Sequence, residues 1–281
     1  MKLAWLARAL AGVLRPGASS RLAAAILTPL LELAGPRRAT ARKNLSIVLP
    51  EAPPEEIERL VSETYAHIVW TGTEFLALQR DPAQVLDWVD AQGSEILDGL
   101  VGRGAILVTG HVGNWEITAA WLAQRGYKVT AIVREPGDKG ERGLIEDMRS
   151  RAGVRCLPKT ASMTGAVSIL KSGEFLGILP DQHGGRNGIM APLFGVQTST
   201  SHGPAFFAYL TGRPLVPIFS RRVEPFRHRI RIAPPIQWER SATRDGTILR
   251  VTTLVNKSIE DMILEAPGQW LAQHRRFREI Y

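Results

Sequence analysis

Ala105-Ile106-Leu107-Val108-Thr109-Gly110-His111-Val112-Gly113-Asn114-Trp115-Glu116 is the stretch on which the reading of this chain turns. Its first five residues form a short, unbroken apolar run bounded by glycines, the pattern of a strand buried on both faces. Helical spacing takes over from about residue 114 to 125. Further apolar runs at 129–133, 175–179 and 214–220 alternate with helical patterns near 139–152, 161–172, 202–211 and 243–265. That alternation predicts an α/β fold, with a mostly parallel central sheet covered by helices. Upstream, Pro53-Pro54-Glu55-Glu56 reads as a helix start, with proline in the first turn and acids facing the dipole. Ile57, Leu60, Val61, Thr64, Ile68, Val69, Phe75 and Leu76 continue it as one long amphipathic helix.

The 281 residues, 44% of them apolar, exclude a disordered or collagen-like chain and give ample length for a core. A single cysteine, Cys156, excludes an intramolecular disulfide framework and a four-cysteine zinc site, and fits a reducing compartment. Most of the net charge of +8 sits in residues 1–43, where Lys2, Arg8, Arg15, Arg21, Arg37, Arg38, Arg42 and Lys43 face one acid, Glu32. Those cations are interleaved with Leu, Ala, Ile and Trp, which favours an anionic membrane surface over nucleic acid as partner. No nucleic-acid recognition motif accompanies them.

The longest uncharged apolar run, residues 22–31, contains Pro29. It falls short of the roughly 20 residues that a bilayer-spanning helix needs. Leu3, Leu6, Leu10, Val13 and Leu14 share one helical face opposite Arg8 and Arg15, as in a helix lying in the lipid interface. A helix packed on the protein's own body has the same pattern. A cleaved signal peptide is disfavoured because Arg8 splits its apolar centre. Gly35-Pro36 breaks this region, so the reading divides the chain into a membrane-associating amphipathic helical segment, 1–36, and a main domain, 37–281, that opens with a short helix over 37–49.

His111 follows the first sheet strand, where side chains at the carboxyl ends of parallel strands line ligand crevices. On a continuous helix His111 and Glu116 would stand about 140° apart. They meet only if His111 sits in the loop and Glu116 on the first helical turn, which Gly110 and Gly113 make feasible. Glu116 could then fix one imidazole tautomer and leave the other nitrogen as a base. The spacing alone is weak, since His274 and Glu279 share it, and a buried histidine merely holding a loop fits as well. No Gly-x-Ser-x-Gly elbow occurs and Cys156 has no base near it, so a covalent acyl-enzyme is not required.

A second polar cluster, Asp181-Gln182-His183, follows the run at 175–179 and should lie beside the first. Asp181 could form a structural salt bridge or hold substrate hydroxyls. His111, Asp181 and His183 make a conceivable metal triad, but no helical ligand spacing supports it and no metal is expected. The apolar stretch 190–195 reads as a loop, either a buried turn or the wall of an acyl groove. Trp270 and Phe277, interleaved with Arg275, Arg276 and Arg278, read as a solvated charge run or as a docked tail offering cations to phosphate. Arg134, after the run at 129–133, is a further candidate anion contact.

Gly110-His111-Val112-Gly113-Asn114-Trp115-Glu116 resembles the His-x4-Asp/Glu motif of the lysophospholipid acyltransferase superfamily. More narrowly, it is similar to that of the lipid A late (lauroyl/myristoyl) acyltransferases of Gram-negative bacteria. Arg42 and Asn44 with Leu49-Pro50, the 177–182 run, Phe194-Gly195, Gly203-Pro204-Ala205, residues 214–221 and residues 270–278 match in order, over roughly residues 37–279. The resemblance implies a glycerolphosphate-acyltransferase-like fold at the cytoplasmic face of the inner membrane. The activity it implies is transfer of a fatty acyl group from an acyl carrier protein or CoA thioester to a hydroxyl of a glycolipid acceptor, without a cofactor. His111 would be the general base and Glu116 its partner. Asn114, Arg134, Arg149, Asp181, Gln182 and Arg276 would contact substrate. Mycobacterial phosphatidylinositol mannoside acyltransferases share the motif and give the alternative acceptor. A non-catalytic lipid-binding relative is the alternative class. Two departures stand out: the amino-terminal segment is shorter and less apolar than the family's usual anchor, and His183 follows Asp-Gln where an acid or amide is usual.

Overall fold

The computed structural model describes residues 12–133, 139–158 and 162–280. Helices α1 (Ala18–Ala34), α2 (Arg38–Val48) and α3 (Pro54–Leu78) precede the sheet, followed by α4 (Val85–Trp88), β1 (Val89–Gln92) and α5 (Ser94–Asp98). The alternating core comprises β2 (Ala105–Val108), α6 (Trp115–Gln124), β3 (Val129–Val133), α7 (Lys139–Arg151), β4 (Arg155–Pro158), α8 (Ser162–Lys171) and β5 (Phe175–Ile178). A hairpin of β6 (Ile189–Leu193) and β7 (Val196–Thr200) follows. Then come α9 (Gly203–Thr211), β8 (Leu215–Glu224), β9 (Arg227–Ile232) and α10 (Arg244–Glu265). Seven strands form one sheet in the order β1-β9-β8-β2-β5-β3-β4. Its neighbours run parallel except for the β8–β9 pair.

β2 is apolar throughout because both of its faces are covered. Ile106 and Val108 enter a core with α2, α3, α8, α9 and α10, while Ala105 and Leu107 enter a second core with α4, α5 and α6. The apolar runs expected as strands are all present in the sheet. Strands β1, β4 and β9 are additions. β9 lies in the arginine-rich stretch, where Arg227 and Arg229 point outward and His228, Ile230 and Ile232 are buried. Residues 190–195 are not a loop: they belong to the β6–β7 hairpin, whose turn residues Phe194 and Gly195 both take left-handed backbone (φ 49° and 73°). Ala191 and Leu193 face the core, so the hairpin is held by its own packing.

The amphipathic helix expected over residues 3–14 lies largely outside the described residues. The helix that is described, α1, runs through Pro29 and stops at left-handed Gly35, whose N–H caps Leu31 O. It packs along α3, burying Ser20 and Ala24, and leaves Leu22, Ile26, Leu30 and Leu33 exposed, the last 87% accessible. Among the described residues no helix is long and apolar enough to cross a membrane.

Beneath the β2–α6 loop lies a sealed polar cluster. Glu74 of α3, fully buried, accepts hydrogen bonds from Arg222 Nε (2.9 Å) and Nη2 (2.8 Å), Asn114 Nδ2 (2.8 Å) and the Phe226 amide (3.0 Å). Burial by itself raises a carboxyl's pKa, but Arg222 and His228 beside it hold Glu74 far below the usual carboxylate range. His67, one helical stretch earlier, donates Nε2–H to Gly113 O (3.0 Å) and accepts from Arg222 Nη1 at Nδ1 (2.5 Å). Gly113 itself has φ +59°, and a Cβ there would stand 2.2 Å from Ser220 O. Only glycine fits. The loop is thus pressed against β8 and pinned from α3.

Burial, then the Arg222 cation, depress the His67 pKa to about 3. An unfolded imidazole takes its proton near 6.5. Between those values the unfolded chain binds the extra proton, so this contribution to stability is complete above about pH 6.5 and is lost as pH falls toward 3. Denaturant unfolding of the parent from about pH 7 to about pH 4 should show a loss on the order of 1 kcal/mol per pH unit from this group. His67→Gln keeps a donor for Gly113 O and should flatten the profile by that amount. A variant profile as steep as the parent's would refute the assignment.

Candidate active site

The register of β2 on β5 pairs Val108 with Ile178, and Thr109 N still bonds Ile178 O (3.2 Å). His111 and Asp181 each stand three residues past that last pair, so the two loops deliver them side by side. The His111 Nδ1–H donates to Asp181 Oδ1 (2.8 Å), and the His111 backbone N–H donates to Oδ2 (3.0 Å). The Trp270 indole N–H donates to the same Oδ2 (3.2 Å). Asp181 is 2% accessible. Burial pushes its carboxyl up, yet the imidazole and these two N–H groups outweigh burial and hold it below the ordinary aspartate range. With Nδ1 carrying the proton, His111 Nε2 is an acceptor. Gln182 Nε2 lies 3.4 Å from it, and the Trp115 ring stands edge-on to the imidazole with centroids 4.8 Å apart.

Glu116 is engaged elsewhere. Asn114 caps α6, its Oδ1 accepting from the Glu116 and Ile117 amides (3.2 and 3.3 Å), which sets Glu116 on the first turn as expected. From there its carboxylate meets Arg149 of α7 in a two-bond fork, Nε to Oε2 at 2.9 Å and Nη2 to Oε1 at 2.6 Å. The Trp115 indole adds a third donor at 3.0 Å. Glu116 counteracts the effect of burial on Arg149 and raises its pKa above the ordinary value. The expected Glu116 contact to His111 is therefore replaced by an Asp181 contact, for a geometric reason: the imidazole turns toward β5, and the α6 carboxylate turns toward α7.

His111 Nε2 opens on a cavity of about 350 Å³ at the carboxyl ends of β2, β3 and β5. Trp115, Glu116, Arg149, Gln182 and His183 line its polar side, and Ala119, Ala131, Ile132, Val133, Val154 and Ile178 its apolar side. A mixed cavity of this size at the strand ends is where α/β proteins bind substrates. His183 directs Nε2 to Glu279 (2.9 Å) and accepts the Gly185 amide at Nδ1 (3.0 Å). Both its nitrogens are thus turned away from any joint site with His111. Among the described residues no group of three metal-binding side chains forms.

Of the residues expected at the site, His111, Glu116, Arg149 and Gln182 line the cavity. Asp181 lies behind His111 rather than facing substrate. Asn114 is fully buried, spent on the α6 cap and on Glu74. Arg276 is also fully buried: Nη1 bonds Thr198 Oγ1 (3.1 Å) and Ser199 O (2.7 Å), Nη2 bonds Thr200 Oγ1 (2.7 Å), and burial lowers its pKa to about 10. It fastens the tail to β7 instead of meeting phosphate. Arg134 lies outside the described residues. The pairing of Asp181 with His111 escaped the sequence reading, although equal offsets past two apolar runs carried the signal. Trp115, which also lines the cavity, belongs to the quoted motif but had no role assigned, and Ser201 carried no signal.

Residues 3–279 match the family model for bacterial lipid A biosynthesis acyltransferases. The chain is 28% identical over 256 residues to the lipid A biosynthesis palmitoleoyltransferase of Escherichia coli K12, covering 86% of this chain and 79% of that one. It is 26% identical over 252 residues to the lipid A biosynthesis lauroyltransferase of the same organism, again covering 86% and 79%. A phosphatidylinositol mannoside acyltransferase of Mycobacterium tuberculosis is 28% identical over 187 residues, 63% of this chain and 58% of that one. The crystal structure of the 1-acyl-sn-glycerophosphate acyltransferase from Thermotoga maritima aligns at TM-score 0.41 with 15% identity, covering 88% of this chain and 98% of the other. With a sheet-end histidine, an apolar-walled cavity and a family model matched along nearly its whole length, the chain belongs to the bacterial lipid A biosynthesis acyltransferase family.

Proposed function

We propose that this acyltransferase moves a fatty acyl chain from a thioester of acyl carrier protein or CoA to a hydroxyl of a glycolipid of the lipid A precursor type. The observation that carries the reading is the His111–Asp181 pair with Nε2 turned into the cavity. In the proposed reaction, Nε2 takes the proton of the acceptor hydroxyl as its oxygen attacks the thioester carbonyl. The new C–O bond forms, the C–S bond breaks, and the imidazolium gives its proton to the departing sulfur, so that a thiol leaves and Nε2 is free again. Asp181, anionic and buried, balances the imidazolium while that proton is in transit. Orientation of the two substrates in one cavity supplies a further share of the acceleration. Arg149, tethered by Glu116, offers its cation to an acceptor phosphate at the cavity wall.

The same reading places the protein at the cytoplasmic face of the inner membrane. Leu22, Ile26, Leu30 and Leu33 form one exposed stripe on α1, with Arg15, Arg21 and Arg37 exposed around it. An apolar stripe flanked by cations suits an interface rich in anionic lipid.

His111→Ala should reduce kcat by about 10²–10⁴-fold in a folded protein, with Asp181→Asn of the same order. Mass spectrometry of the acylated product, with lipid A precursors and phosphatidylinositol mannosides as rival acceptors, measures both rate and acceptor. Parent-like turnover in His111→Ala removes the base assignment, and transfer only to the mannoside transfers the reading to that acceptor. Because Glu116 works through Arg149, Glu116→Gln and Arg149→Lys should be non-additive, whereas Glu116→Gln and Asp181→Asn should add.

Replacing Leu22 and Leu30 by Ser should weaken co-sedimentation with anionic vesicles by at least about tenfold and leave the unfolding midpoint near the parent's. Unchanged co-sedimentation would exclude α1 as the contact surface.

A further inference from the structure

The carboxyl-terminal tail threads directly under the catalytic loop. Residues 269–271 run antiparallel to residues 111–113: Gly113 N bonds Gln269 O (3.1 Å), and Leu271 N bonds His111 O (2.9 Å). Between these two bonds Trp270, 1% accessible, turns its ring inward and donates its indole N–H to Asp181 Oδ2. The segment has little freedom to shift. Gln269 exchanges side-chain hydrogen bonds with the backbone of Arg222 (2.8 Å each way), and Gln273 Nε2 bonds Thr64 Oγ1 (2.6 Å). Asn44 Nδ2 of α2 reaches both Ala272 O and His274 O (2.7 Å each). Four separate regions of the chain therefore fix one indole.

Asp181 has two oxygens and three donors. Oδ1 serves the imidazole, while Oδ2 takes the His111 amide and the indole together. Two donors on Oδ2 hold the carboxylate plane so that Oδ1 faces Nδ1. Without the indole, both remaining donors come from His111 itself, so the carboxylate loses its one anchor outside the residue it orients. We propose that Trp270 is a positioning residue of the His111–Asp181 pair, so that the tail completes the catalytic base rather than only closing the fold. This rests on the acyltransferase reading given above.

Trp270→Phe keeps an aromatic ring, smaller than the indole, and removes the N–H. Expected is a kcat loss of about tenfold or more, with KM for donor and acceptor within about twofold, in a chain whose unfolding midpoint falls with the smaller ring but which stays folded under assay. In the Asp181→Asn background the same substitution should cost nothing further, because its effect passes through that carboxylate. Parent-like kcat in folded Trp270→Phe overturns the proposal, and so does an equal loss in the Asp181→Asn background, which marks a purely structural tryptophan. A second measurement needs neither turnover nor a Trp270 variant. The Trp270 indole N–H resonance of isotope-labelled protein should move in Asp181→Asn and stay in place in Glu116→Gln. An unmoved resonance in Asp181→Asn overturns the proposal even if Trp270→Phe does not fold. A parent lacking transferase activity would defeat the functional reading alone, leaving the resonance to decide this one.

Discussion

Parallel pairing of β2 with β5 in one register is the constraint from which the site follows. Each strand is short, apolar and covered on both faces, so a slip of one residue would turn every side chain to the wrong core. The register is therefore held by packing over the whole domain, and His111 and Asp181 inherit it three residues later. A carboxylate as buried as Asp181 costs free energy unless its donors are in place. Here the imidazole and backbone amide of His111 and the indole of Trp270 are all in place, supplied by one loop and the tail.

Two carboxylates near the loop perform separate work. Asp181 lies behind the imidazole and sets which nitrogen carries the proton. Glu116, five residues along, braces α6 against α7 and keeps a cation at the cavity wall. A third, Glu74, sits beneath both, gathering Arg222, Asn114 and a backbone amide under the floor of the loop. Removing Glu74 would strand a buried guanidinium, which explains why so much polar chemistry is invested where no substrate reaches.

The sheet was legible where its physics is local. Strands β2 and β5 announce themselves because both faces are covered and neither carries a polar side chain, and β3 departs from that only at Thr130. β9 is hidden for the opposite reason: its Arg-His-Arg-Ile-Arg-Ile alternation marks one wet face, and its density of cations masks the period of two. β4 is four residues ending in proline, and the β6–β7 turn uses Phe194-Gly195 where Asn-Gly would have signalled it. At the site, the histidine was readable from its place after a strand. Its partner is fainter, because the nearest acid in sequence is Glu116 and the bonded one is seventy residues away, signalled only by equal offsets past two apolar runs that pair in the sheet. Asn114 and Arg276 were misplaced on the substrate side because burial of a polar side chain leaves no mark in sequence.

Helix α3 touches two things that sequence keeps apart. One flank supports α1 with its apolar stripe, and the other supplies His67 and Glu74 to the underside of the β2–α6 loop. At 25 residues it is a stiff rod nearly 40 Å long by the rise of an α-helix. Because α1 packs along this rod, whatever meets the exposed stripe is joined through one unbroken helix to the loop that carries His111.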